Sequence, residues 1–156
     1  MQKVKDIMTS DPACCSPTTG LQAVAKMLVE QDCGAIPVVE SETSRKPIGI
    51  VTDRDIACRV IAEGKEANGL TAGDCMSSPC VTVTPEARLD ECYQKMEKNR
   101  IRRLVVVDAD GCCCGIVAQA DVALKGHGKA VAEVLREVSV PMTSASAVSR
   151  MGAPPA

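Results

Sequence analysis

The sequence has no phenylalanine, no tryptophan and a single tyrosine, Tyr93. Its core must therefore be aliphatic, built from Val, Ile, Leu, Ala, Met and Cys, and a bound base has no aromatic shelf to stack on. Histidine is nearly absent too. The only one, His127, stands in a Gly-His-Gly stretch, so general acid–base chemistry lacks its usual residue. There is no phosphate-cradling P-loop and no Cys-x-x-Cys pair of the zinc-site kind. No enzymatic activity is expected. Long apolar runs are missing as well: IVT and LVVV fall far short of the ~20 residues of a membrane span. The opening MQKVKDIMTSD lacks the apolar stretch of a signal peptide, so a cytoplasmic location and no membrane partner are expected. Nor is there a basic excess. A net charge of −2 gives no basis for neutralising nucleic-acid phosphates.

Cysteine, by contrast, is abundant, with ten residues. In a reducing compartment thiols stay free, and Cys packs as a small hydrophobe. Most are expected to be core or surface fillers.

What is present is a repeat. Asp6-Ile7-Met8 returns 68 residues later as Asp74-Cys75-Met76, and Pro17 returns as Pro85. A helical stripe at Leu21, Val24, Ala25 and Leu28 is matched by Leu89, Cys92, Tyr93 and Met96, with the i, i+3, i+4, i+7 spacing of one buried face. The apolar runs AIPVV and PIGIV answer to RLVVV and CCGIV, and GIVTDRDI (49–56) answers to GIVAQADV (115–122). The joining loop shortens from ESETSRK to DADGC, a place where repeats tolerate change.

Each copy reads strand, helix, strand, strand, helix, with ACC (13–15) and CVTV (80–83) as the short first strands. The expected fold is α+β: two β-α-β-β-α repeats, 3–64 and 72–125, joined by a polar linker at 65–71. Units of this size bury little surface alone, so the two are expected to pack about a pseudo-twofold axis. An amphipathic helix at 127–139 carries Val131, Val134, Leu135 and Val138, and 140–156 is read as a disordered tail.

With D-I-M, S-P, I-P-V-V and G-I-V-T-D-R-D-I in register over about residues 3–125, the chain resembles a tandem pair of CBS (cystathionine β-synthase) domains, a Bateman-type module. It is also similar to small bacterial proteins that consist of such a pair alone. The resemblance implies a regulatory module that binds an adenosine ligand such as AMP, ADP or ATP in the inter-repeat cleft, homodimerises, and signals through conformation or to an effector protein. No cofactor or metal is required.

From spacing alone, Thr52-x-x-Asp55 at the start of a helix is a capping box. The resemblance adds a second role: Asp55 takes the ribose hydroxyls, with Thr52 beside sugar and phosphate and Asp53 and Arg54 next to them. A carboxylate accepting from a cis-diol makes charge-assisted hydrogen bonds. The adenine is expected against the main chain of Cys14, Cys15 and Ser16, flanked by Ile36, Pro37 and Val51. Arg59, Arg100, Arg102 and Arg103 are candidate phosphate contacts. In the second copy Ala118 replaces the threonine while Asp121 remains, so a weaker site, or none, is expected there. Two other readings stay open: a redox or metal sensor built on Cys14-Cys15 and Cys112-Cys113-Cys114, and an interaction module that binds no nucleotide and docks a partner on its last helix.

Overall fold

A computed structural model describes residues 1–140; the expected tail lies almost wholly outside them. The chain forms two compact units, each holding one repeat. Their boundaries differ from those of the sequence repeats. Met1–Pro12 belongs with the second repeat, from Val81 onward, whereas Ala13–Cys80 forms the first-repeat unit. Each D-x-M segment thus lies in the unit of the repeat that precedes or follows its own, the two having traded places.

The first-repeat unit is built on an antiparallel hairpin, Ala35–Val39 and Pro47–Thr52. Numbered along the whole chain, these strands are β2 and β3, because α1 (Val4–Ile7), β1 (Thr9–Ser10) and α2 (Leu21–Glu30) precede them. The predicted strand at 13–15 contracts to a single parallel bridge, Cys15 to Val38, on one side of the hairpin. On the other side Ser77 bridges Ile50. Helix α3 (Asp53–Ile56) follows β3 directly and runs on as a π-helical turn, Ala57–Ile61, before α4 (Ala72–Cys75).

The second-repeat unit repeats this plan with fuller pairing. It comprises β4 (Thr82–Val83), α5 (Leu89–Asn99), β5 (Arg103–Val107), β6 (Cys113–Ala118), α6 (Gln119–Lys125) and α7 (Lys129–Ser139). The strand order is β1-β6-β5-β4, with β4 parallel to β5. Both hairpins carry a register shift at the matching place, between Val38 and Val39 and between Val106 and Val107.

Each unit has its own aliphatic core. In the first, Leu21, Val24 and Leu28 of α2 pack with Ile36, Val38, Val51, Val60, Cys15 and Cys75. In the second, Leu89, Cys92, Tyr93 and Met96 pack with Leu104, Val106 and Val117. Ala25 of the predicted stripe is only half-buried, whereas its counterpart Tyr93 is inside the core. Val134 and Val138 of α7 join that second core and Val131 packs against it. Most of the apolar seam of the last helix is therefore covered by its own unit, while Leu135 stays half-buried outside that core. Among the described residues no helix is long and apolar enough to cross a membrane.

The traded segments explain the glycine of each G-I-V run. A Cβ on Gly49 would stand 2.6 Å from Met76 Sδ and 2.9 Å from the Ser77 carbonyl oxygen. On Gly115 it would stand 2.6 Å from Met8 Sδ and 3.3 Å from the Thr9 carbonyl oxygen. Only hydrogen fits beneath the methionine of D-x-M. Gly49→Ala is expected to cost roughly 1–3 kcal/mol through overpacking. Gly115→Ala should cost less: both glycines meet a thioether at the same distance, but the backbone contact of Gly115 is longer, 3.3 Å against 2.9 Å. Urea unfolding of the two variants checks the order.

Candidate functional site

Strand β3 ends by presenting Thr52 as the N-cap of α3. The Asp55 N–H donates to Thr52 Oγ1 at 3.0 Å, and the Thr52 N–H donates back to Asp55 Oδ2 at 2.9 Å. The capping box read from spacing is formed, and it fixes the carboxylate at the strand-to-helix turn. The neighbouring Asp53 N–H donates to the Gly34 carbonyl at 3.1 Å, and the Arg54 N–H donates to Asp53 Oδ1 at 2.8 Å. The side chains of Asp53 and Arg54 are exposed.

The second oxygen of Asp55 faces residues that the sequence reading did not single out. Ser77 Oγ donates to Asp55 Oδ1 at 3.2 Å, and Arg59 Nε lies 3.9 Å from the same oxygen. Arg59, a candidate for phosphate, is committed elsewhere: its Nη1 donates to the Cys75 carbonyl at 3.1 Å and to the Met76 carbonyl at 2.8 Å. It satisfies the C-terminal carbonyls of α4, which a four-residue helix cannot satisfy itself. The Cys75 thiol in this cluster is pushed up to about 11, first by burial and then by the Asp55 charge, with Arg59 opposing.

The second copy retains this frame with weaker chemistry. The Ala118 N–H donates to Asp121 Oδ2 at 2.8 Å, but alanine has no hydroxyl to return the bond. Lys125 stands where the first copy has Arg59. Its Nζ donates to the Ile7 carbonyl at 3.1 Å and lies 3.6 Å from Asp121 Oδ1. The Gln119 N–H donates to the Arg102 carbonyl at 2.8 Å, as Asp53 does to Gly34.

The residues expected around adenine separate by strand alternation. Ile36 and Val51 are core residues, 1% and 0% exposed, packed with Leu21 and Val24. Pro37 alternates to the opposite face of β2, so Ile36 and Val51 do not flank a base beside it. Cys15 has both main-chain groups engaged with the hairpin: its N–H donates to Pro37 O at 3.0 Å and its carbonyl accepts from Val39 N at 2.9 Å. The Ser16 N–H donates to Thr19 Oγ1 at 3.0 Å, and Cys14 Sγ receives a 3.8 Å contact from Arg45 Nη2. Arg100, Arg102 and Arg103 belong to the other unit. There Arg100 closes α5 with φ +48°, Arg102 Nε donates to the Val138 carbonyl at 3.3 Å, and Arg103 opens β5.

Ser77 is the residue that sequence reasoning missed. A signal was there: Met8-Thr9 and Met76-Ser77 place a small hydroxyl after D-x-M in both copies. Among the described residues, no three His, Cys, Asp or Glu side chains gather as a metal site. His127 is exposed on the link between α6 and α7.

Comparison with known proteins agrees with this duplicated frame. The family model described as CBS domain matches residues 4–61 and 72–127. The CBS domain-containing protein YhcV of Bacillus subtilis is 38% identical over 124 residues, 80% of this chain and 85% of the relative. A crystal structure of Hypoxic Response Protein I with two coordinated zinc ions is 30% identical with TM-score 0.70, covering 80% of this chain and 98% of that one. The CBS domain pair of protein MJ0100, solved with 5′-methylthioadenosine and S-adenosyl-L-methionine, is 29% identical with TM-score 0.70, covering 78% of this chain and 97% of that one. With both repeats matched and the strand-to-helix turn built alike in each, this chain belongs to the CBS-domain family as a tandem pair.

Proposed function

We propose that the chain is a regulatory CBS pair that takes an adenosine-type ligand on the first repeat, with Asp55 gripping the ribose hydroxyls and Thr52 beside the sugar. One observation carries this reading. The capping box holds the Asp55 carboxylate rigidly through Oδ2, while Oδ1 accepts from a hydroxyl, that of Ser77. A carboxylate that already accepts from a hydroxyl is preorganised for the hydroxyls of a ligand, and preorganisation is what converts contacts into affinity. The adenosine compounds bound to the MJ0100 pair support the ligand class. They share a ribose, the part that Asp55 would recognise.

The second copy is proposed as the lesser site, because Ala118 contributes no hydroxyl and the Lys125 ammonium leans on Asp121. With Arg59 committed to carbonyls, the exposed Arg54 is the phosphate candidate left within the first-repeat unit. Homodimerisation and transmission to an effector protein belong to the same proposal, with exposed apolar residues such as Val29 on α2 available for such contacts.

A saturating adenosine ligand should raise stability. At 100-fold over its dissociation constant the gain is about 2.7 kcal/mol, roughly 5–10 °C of midpoint for a chain of this size. Thermal unfolding with AMP, ATP and S-adenosylmethionine is expected to show the shift in the wild type and in Asp121→Asn, and to lose it in Asp55→Asn. A shift in none of the three proteins sinks the reading.

A cysteine-based sensor predicts a different outcome. Cys15, Cys75, Cys92 and Cys113 are buried, and Cys33 is exposed. Burial pushes the thiols of Cys15 and Cys75 up to about 11 and that of Cys92 up to about 12, away from the thiolate that reacts. Titration with a thiol reagent at pH 8 should label Cys33 fast and these buried thiols only after denaturation. Rapid native labelling of Cys15 or Cys75 would favour the sensor.

A further inference from the structure

We propose that Ser77 is the internal occupant of the hydroxyl subsite on Asp55, and that a vicinal diol binds by displacing it; this rests on the adenosine reading above. Two hydrogen-bond donors, the Thr52 N–H and the Ser77 hydroxyl, and one guanidinium, that of Arg59, surround the carboxylate, and they differ in freedom. The Thr52 N–H on Oδ2 is part of the helix start, and removing it breaks the cap. Arg59 is tied by Nη1 to two carbonyls of the α4 segment, so it cannot turn away without abandoning them. Ser77 is held only by its main chain, which exchanges two hydrogen bonds with Ile50 at 2.9 and 2.8 Å. Its Oγ can rotate off Asp55 while the residue stays where it is.

A ligand with one hydroxyl then exchanges one bond for another at this carboxylate. A ligand with two adjacent hydroxyls gains a bond, since an ionised carboxylate offers about four acceptor positions. The subsite therefore favours ribosides whose 2′ and 3′ hydroxyls are both free. Ser77 is an affinity-setting residue: it keeps the carboxylate satisfied when no ligand is bound and competes with the ligand for it. The second copy is arranged differently. Asp121 Oδ1 faces an ammonium, Lys125 Nζ at 3.6 Å, and the residue matching Ser77 is the exposed Thr9.

Calorimetric titration of the full chain with AMP and with 2′-deoxy-AMP tests this in the wild type, Ser77→Ala and Thr9→Ala, with urea unfolding to show that each is folded. Ser77→Ala is expected to bind AMP about two- to tenfold more tightly, the worth of one hydrogen bond, whereas Thr9→Ala should match the wild type. AMP should bind better than its deoxy form to the wild type. If the wild type binds AMP but Ser77→Ala binds equally or more weakly, the displacement proposal falls and the nucleotide reading stands. If neither protein binds AMP, both fall.

Discussion

Pairing between each D-x-M segment and the G-I-V strand of the other repeat is the constraint on which the rest of the structure rests. An antiparallel strand edge left open would expose unpaired N–H and C=O groups. Here Thr9–Ser10 closes the edge of β6 and Ser77 closes the edge of β3. The methionine of each segment lies on a glycine and blocks any side chain there. The cation four residues after the motif aspartate then reaches the carbonyls at the end of the short helix. Arg59 does this with two hydrogen bonds and Lys125 with one, as the forked guanidinium and the single ammonium allow. Edge pairing, close approach and cation thus fix the turn on which Asp55 and Asp121 sit.

The two turns share a frame but not a chemistry. In the first, a threonine hydroxyl completes the cap, a serine hydroxyl meets the carboxylate, and the helix widens into a π turn where the Ala62 N–H donates to the Ala57 carbonyl at 2.8 Å. Such turns occur often beside functional sites. In the second, the helix stays α-helical over Gln119–Lys125 and the hydroxyls are absent from the aspartate. Duplication supplied two equal scaffolds, and the polar atoms around one carboxylate distinguish them.

Much of this was legible in the sequence, because repetition and periodicity are local properties. The paired apolar runs, the stripe of α5 and the capping box all follow from spacing. The less legible parts are set by chain segments far apart in sequence. Nothing near Arg59 indicates that it will meet Cys75 and Met76, sixteen and seventeen residues away. That Met1–Pro12 joins the second repeat rather than the first is decided by which open edge receives it, and both copies carry the same segment. Only the family resemblance, and no local spacing, sets Ile36 and Val51 beside a base. Strand alternation instead turned them into the core, with Pro37 on the far face.

The exchange of leading segments also imposes an order on synthesis. The leading segment has its pairing partners far down the chain, Thr9 with Ile116 and Ser10 with Gly115, more than a hundred positions later. It must wait while the unit spanning Ala13–Cys80 completes itself. That unit in turn lacks its edge until Ser77 has emerged. A fragment cut at the end of the first sequence repeat would therefore carry a leading segment with no strand to pair and a hairpin with no segment to cover it. The smallest piece of this chain with a full complement of strand partners does not coincide with either repeat.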